Sequence, residues 1–419
     1  MRTENETIFD RYLEGQTRRI FKNERHYLRA EYIPEYLPHR DEEISQLAGI
    51  LSTALKGERP SNILIFGKTG TGKTACAKYI GKELRRKVET DERAKKVNYV
   101  YINCKVVDTE YGVLAAIGNN FTRTDDEKIP FTGWPMEKVY NHLKDRIEAA
   151  KGVTLIILDE IDQHVYKSGG NVLYLLTNLN DEMQGAKVSI IGITNDSKFT
   201  DHLEMRIKTR LGEEKVVFPP YNADELKDIL VQRADMAFEK GALEPAVIPL
   251  CSALAAQEHG DARRALDLLR VAGEIAEREC ATIVAERHVH KAKNKIELDV
   301  LNEIIRSLPT QSKVLLTAII MGTEADTTQM TTGEVYDNYR EMCRVARISP
   351  LTQRRITDLI SELDMLGIIS ATLKSFGRGG GRTRLIRLSV SPVETKSILS
   401  EDDEIRTIVD YRSRQIRLF

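Results

Sequence analysis

The chain has 419 residues, enough for about two to three domains of ~100–200 residues each. Hydrophobic content of 41%, charged content of 30% and a net charge of −1 suit a soluble globular protein and exclude a uniformly basic nucleic-acid coat, leaving local patches open. No run approaches the ~18 apolar residues of a membrane span, and the opening MRTENETIFD lacks the apolar core of a secretory signal, so a cytoplasmic protein with no membrane partner is expected. Cys76, Cys104, Cys251, Cys280 and Cys343 are scattered and form no C-x-x-C pair, which signals neither zinc nor a disulfide framework.

Residues 1–30 are polar with basic clusters and read as an N-terminal arm or short helix. Two prolines in EYIPEYLPHR, residues 31–40, argue against regular structure there. Ile44, Leu47, Ile50, Leu51 and Leu55 then recur at helical spacing. From Ser61 the texture changes to short apolar runs at 62–66, 98–102, 153–158, 187–193 and 215–218, separated by helical stretches. Such runs suit strands buried on both faces, giving an α/β class with a parallel sheet flanked by helices over residues 31–220. The region 221–298 is helical throughout, with helices expected at 224–238, 245–259 and 261–280, and reads as a lid. Three helical patterns and two strand-like runs, 367–376 and 383–390, follow in winged-helix order over 299–395; residues 396–419 remain as a C-terminal tail.

Gly67-Lys68-Thr69-Gly70-Thr71-Gly72-Lys73-Thr74, followed by Ala75, has the P-loop spacing, with a strand before it and a helix after it. Its glycines let the backbone wrap round phosphates, its lysine supplies a point charge, and Thr74 offers a hydroxyl to Mg²⁺. LIILDE places Asp159 at a buried strand end as the second magnesium ligand, with Glu160 beside it to orient or deprotonate the attacking water. Asn195 ends the next strand, where its amide is placed to hold that water.

Together these motifs, with Arg206 and Arg210 in MRIKTRLG and with GDARRALDLLR, resemble an AAA+ ATPase. YIPEYLPHRDEEI, FPPY and the winged-helix order narrow the resemblance to archaeal origin-recognition initiators over roughly residues 30 to 390. The resemblance implies ATP/ADP and Mg²⁺ as ligands, Lys73 and Thr74 on the phosphates and metal, Asp159 and Glu160 as the Walker B pair and Asn195 as sensor 1. It also implies Arg263 as sensor 2, with Arg264 a neighbour open to confusion, and Arg206 or Arg210 as an arginine finger acting on another subunit. The segment around Tyr36, Leu37 and Arg40, with Tyr221, would lie against the adenine. Residues 108–150 fill an unusually long gap between Lys73 and Asp159 and resemble a DNA-contacting helical insertion, in which Trp134 reads equally as a core anchor.

PLTQRRITDLISELDMLG puts Leu351, Ile356, Leu359, Ile360, Leu363 and Leu366 on one helix face and clusters Thr352, Gln353, Arg354 and Arg355 at its N-terminal end, the part of a recognition helix that meets a major groove. Arg378, Gly379, Gly380, Arg382 and Arg384 form a basic, glycine-rich wing suited to phosphate or minor-groove contact. The expected function is an ATP-regulated initiator that binds double-stranded origin DNA, helps load the replicative helicase, and works with identical or paralogous subunits on the nucleoid. An AAA+ transcriptional regulator and a clamp-loader-like motor are the alternatives.

Overall fold

The computed structural model describes residues 19–22, 25–122, 124, 127–324, 329–376, 380–409 and 411. They fall into two compact units, Met1–Ala292 and Lys293–Phe419.

The first unit opens with α1 (Asp41–Leu51), β1 (Ile63–Gly67), α2 (Lys73–Thr90) and β2 (Val97–Asn103). Then come α3 (Glu110–Asn119), α4 (Met136–Ala150), β3 (Val153–Asp159), α5 (Ile161–Ser168) and α6 (Asn171–Glu182), and finally β4 (Lys187–Thr194), α7 (Met205–Leu211) and β5 (Glu214–Phe218). The five strands pair in parallel in the order β2-β3-β4-β1-β5. Both faces are buried, which explains the continuous apolar runs. Leu64, Ile156, Leu158 and Ile190 meet α3 to α7 on one side, and Ile63, Ile65, Leu155, Ile157 and Ile193 meet α1 and α2 on the other. Because β4 lies between β1 and β3, the carboxyl ends of the three motif-bearing strands converge on one edge.

The long gap between the motifs is filled by α3 and α4, which bury Val113, Leu114 and Ile117 with Val139, Leu143 and Ile147 in the sheet core. They are a layer of the domain rather than an appendage. Trp134 packs half-buried against that core, with Lys138 Nζ 3.9 Å from its ring centroid.

The lid comprises α8 (Ala223–Ala237), α9 (Val247–Gln257) and α10 (Ala262–Arg278), and α11 (Glu286–Ser307) follows. Asn222 and Glu225 close a capping box that fixes where α8 starts. The reading of residues 1–30 as an arm needs correction for its described part. Ile20 and Phe21 are 1% and 3% exposed, Lys22 N–H donates to Ala237 O at 2.8 Å, and the Phe21 ring lies 4.5 Å from that of Phe238. Gly273 leaves the space into which Phe21 fits. Sequence periodicity misses this strap because each apolar contact is with distant lid helices.

The second unit contains α12 (Thr310–Glu324), β6 (Met330–Thr331), α13 (Thr332–Ala346), α14 (Gln353–Met365), β7 (Ile369–Phe376), β8 (Gly380–Leu388), α15 (Pro392–Leu399) and α16 (Asp403–Val409). Its antiparallel sheet has the order β6-β8-β7, and the two residues of β6 are too few to show alternation in the sequence. Residues 396–409 are not a tail. Ile398, Leu399, Ile405, Ile408 and Val409 join the same core as Tyr339 and Ile360.

Phe21→Ala is expected to destabilise the lid by about 3 kcal/mol, the usual loss for a buried Phe truncated to Ala. Thermal unfolding followed by hydrogen exchange in α8 and α10 checks this; unchanged protection is the result for a free arm.

Candidate nucleotide site and nucleic-acid interface

β1 delivers the chain to Gly67, and α2 begins at Lys73, so residues 68–72 form a tight loop around a helix N-terminus. Gly72 has φ 91°, and a Cβ there would meet the Tyr221 hydroxyl at 2.8 Å. Gly70 has φ 74°, and a Cβ there would collide with the Asp261 carboxylate of the lid. The side chains of Lys68 and Thr69 are exposed, whereas Thr71 Oγ1 donates to Lys68 O at 2.9 Å and braces the loop. Arg40 is 2% exposed, donates from Nε to Thr71 O at 2.9 Å and from an Nη to Pro219 O at 2.7 Å, and stacks 3.7 Å from the Tyr221 ring centroid. It clamps the loop from behind instead of facing the pocket, as the adenine expectation required.

Lys73 Nζ donates to Gly67 O at 2.8 Å, Lys68 O at 2.7 Å and Asn195 Oδ1 at 2.8 Å. Burial pushes its pKa down to about 8, with the nearby Arg263 charge acting in the same sense and Asp159 opposing. Thr74 Oγ1 donates to Asp159 Oδ2 at 2.7 Å, and the Glu160 N–H donates to Oδ1 at 3.0 Å. A hydroxyl and a carboxylate of this kind are hard oxygen donors and fit Mg²⁺. Glu160 adopts φ 55° at the end of β3, and its Oε2 is buried without a hydrogen-bond partner. Non-glycine residues rarely hold that backbone conformation, which marks the position as constrained.

Tyr101 is a site residue that the sequence did not single out. It projects from β2, and its hydroxyl donates to Asp159 Oδ2 at 2.7 Å, so the carboxylate is oriented from two sides. In NYVYI it looks like any half-buried strand tyrosine, and only the pairing of β2 with β3 reveals the contact.

The pocket above the loop is lined by Gly70, Gly72, Lys73, Thr74, Ala75 and Lys78 at one end, together with Asp159, Glu160 and Asn195. Its other end is mostly apolar, with Ile33, Pro34, Leu37, Tyr221, Ile229 and Leu266. Arg233, 6% exposed, holds the strap over this end through Tyr27 O at 3.2 Å and Tyr32 O at 2.9 Å. Tyr36 is not part of the pocket lining. It is 53% exposed, and its hydroxyl donates to Asp41 at 3.2 Å.

From the lid, Asp261 caps α10 by accepting from the N–H groups of Arg263 and Arg264. Arg263 lines the pocket, whereas Arg264 Nε is held by Glu258 at 2.8 Å. On α7, Arg210 is engaged by Asp181 at 2.9 Å and by Asn178, while the exposed Arg206 has no ion pair among the described residues.

In the second unit Thr352, Gln353, Arg354 and Arg355 are all exposed, and Thr352 caps α14. Arg355 lies 3.8 Å from Asp358 and 4.0 Å from Glu362. Arg384 departs from the wing expectation: it is half-buried and donates to Ser361 Oγ at 2.6 Å, bracing α14. Gly380 and Arg382 fall on β8, while Arg378 and Gly379 lie outside the described residues.

The lowered Lys73 pKa has a measurable consequence. Its amine loses its proton near pH 8 in the folded, ligand-free protein but near ~10.4 when unfolded, so between these values the unfolded state binds more protons and this group's contribution to stability rises with pH. Polyphosphate beside Nζ favours the charged form. ATP binding at pH 8.5 is therefore expected to take up protons, seen as calorimetric heats that vary with buffer ionisation enthalpy. Lys73→Arg, which stays charged, should abolish that dependence; a dependence that survives assigns the proton elsewhere.

Residues 63–217 match the ATPase family associated with various cellular activities, residues 227–294 the Cdc6 AAA+ ATPase-type lid domain, and residues 303–398 the CDC6 C-terminal winged helix domain. The ORC1-type DNA replication protein of Thermococcus kodakarensis is 52% identical over 414 residues, 99% of this chain and 98% of the relative. The ORC1-type DNA replication protein 1 of Methanosarcina acetivorans is 50% identical, covering 97% of this chain and 96% of its own length. Among solved structures, the Aeropyrum pernix ORC1 protein in complex with DNA aligns with a TM-score of 0.76 and 43% identity, over 92% of this chain and 98% of that one. The chain belongs to the archaeal ORC1-type family of DNA replication initiators, and its nucleotide pocket is that of an AAA+ ATPase.

Proposed function

We propose that this initiator uses Mg²⁺-ATP as a switch that controls its grip on double-stranded origin DNA and its recruitment of the replicative helicase. The observation that carries the reading is the joint lining of one pocket by the P-loop, the Walker B strand end and the lid residue Arg263. A ligand spanning that pocket touches both the sheet and the lid, so ATP and ADP bind them differently and shift the lid's position. Thr74 and Asp159 would hold Mg²⁺, whose charge would neutralise the outer phosphates; Tyr101 and the Glu160 N–H keep the carboxylate aimed. Glu160, with an unpartnered buried oxygen, orients the attacking water, and Asn195 holds it beside Lys73.

Arg206, exposed and without an ion pair among the described residues, is the better finger for a neighbouring copy or related subunit, since Arg210 is engaged by Asp181. In the second unit, the exposed Thr352–Arg355 end of α14 suits base edges in a major groove. The A. pernix ORC1 complex supports DNA as the ligand. Among the described residues no helix is long and apolar enough to cross a membrane, and we place the protein on the nucleoid.

Lys73→Ala is expected to remove most ATP affinity, while Glu160→Gln retains binding and loses turnover; equal loss of both in Glu160→Gln rejects its assigned role. In mixing experiments, Arg206→Ala should bind ATP normally yet fail to stimulate hydrolysis by a partner, whereas Arg210→Ala stimulates as wild type. The reverse pattern exchanges the two assignments.

A further inference from the structure

One basic surface of the second unit lies outside both the recognition-helix end and the wing. α13 carries Arg340 and Arg344 four residues apart, so their side chains leave a common helix face, and Arg347 caps its C-terminal end. The buried face of the same helix is Val335, Tyr339, Met342 and Cys343. All three arginines are exposed, and none forms an ion pair or a side-chain hydrogen bond among the described residues. The neighbouring acids do not neutralise them: Glu334 is committed to the capping box, Glu341 accepts from the Tyr411 hydroxyl at 3.2 Å, and Asp337 pairs with none of them.

Arg347 adds a second, independent observation. It closes α13 with φ 58° and ψ 36°, the left-handed conformation that glycine adopts without a Cβ penalty. The chain does use glycine at two comparable positions, Gly57 and Gly367, with φ 79° and 73°. An arginine held in that conformation costs stability, and among the described residues its side chain makes no ion pair or hydrogen bond that offsets the cost.

The position of α14 gives the surface its context. Leu351, just before the Thr352 cap, donates its N–H to the Tyr339 hydroxyl at 3.1 Å and accepts from the Tyr336 hydroxyl at 3.2 Å. The N-terminal end of α14 is therefore pinned beside the middle of α13, level with Arg340. From there the arginines run about 10 Å along the helix axis to Arg347. A row of this length can meet more than one phosphate of a DNA strand.

We propose that Arg340, Arg344 and Arg347 form a rail on α13 that grips the phosphate backbone of the duplex whose bases meet the N-terminal end of α14. The proposal rests on the DNA-binding reading of the second unit. Guanidinium groups suit the task because they remain charged and present forked donors to phosphate oxygens. The rail carries no sequence information, and it divides the labour: α13 supplies register and affinity, and α14 supplies choice of sequence.

The test uses the full chain and two duplexes, one selected from a random pool for tight binding and a scrambled version of it. Binding is followed by fluorescence anisotropy across a salt series for the triple variant Arg340→Gln, Arg344→Gln, Arg347→Gln, for Arg347→Gly and for Arg354→Ala. Circular dichroism and the thermal unfolding transition of the second unit, where all the substitutions lie, report that the variants remain folded. The triple variant is expected to weaken both duplexes by the same factor and to flatten the plot of log affinity against log salt by ~0.9 per arginine. Arg347→Gly is expected to raise the Tm of the second unit while weakening DNA binding, a combination that a purely structural arginine does not produce. If the triple variant keeps wild-type affinity and slope while Arg354→Ala loses sequence preference, the rail is overturned and the DNA-binding reading stands. If all three variants bind as wild type, both fall together.

Discussion

The lid meets the phosphate loop through a contact that only glycine permits. Gly70 adopts φ 74°, and the space where its Cβ would stand is filled by the Asp261 carboxylate; Ala262 N–H also donates to Gly70 O at 3.2 Å. Asp261 is at the same time the cap of α10. One carboxylate thus starts the lid helix and fixes it against the P-loop, which brings Arg263 into the pocket and turns Arg264 toward Glu258. The parallel sheet supplies the other half: with β4 between β1 and β3, Asn195 reaches Lys73 while Asp159 reaches Thr74. Lys73 Nζ and Thr74 Oγ1, the groups that would meet phosphate and metal, are thereby held by Asn195 and Asp159.

Much of this was legible in the sequence, for a physical reason. The P-loop, the Walker B pair and the strand-end asparagine are each local: a buried strand followed by residues whose spacing the chemistry fixes. The α/β class and the winged-helix order were legible because two-faced burial and helical periodicity leave direct marks on composition. The strap at Ile20 and Phe21, the clamp at Arg40 and the Tyr101 contact were not, because each depends on partners 31 or more residues away or on a packing surface assembled only in the fold. Arg40 is instructive. Its motif was noticed, but burial under Tyr221 converts an expected ligand contact into a support for the loop. The helices that follow β8 leave little mark in the sequence because Ile398, Leu399, Ile405 and Ile408 are spread over two short elements, neither long enough to declare an apolar face.

Two of the positive-φ, non-glycine positions, Glu160 and Arg347, bear on a ligand or a proposed one, whereas His39, Lys151, His259 and Cys280 do not. Glu160 holds a left-handed backbone at the pocket, and Arg347 holds one at the end of α13. Both break the preference for glycine, and both carry a charged group that the rest of the fold leaves without a partner. In each unit a well-buried scaffold thus presents uncompensated groups: Glu160 at the nucleotide pocket in one, exposed arginines in the other.

In the proposed switch the γ-phosphate is sensed jointly by the sheet and the lid. This joint sensing is tested most directly by the distance distribution between spin labels at the exposed Glu89 on α2 and Gln257 on α9, with Cys280 replaced by serine, in the ATP and ADP states. A narrow distribution is expected with ATP, a shifted or broader one with ADP, and no difference between them in Arg263→Ala. Identical distributions for the two nucleotides in the protein with Arg263 intact would contradict it.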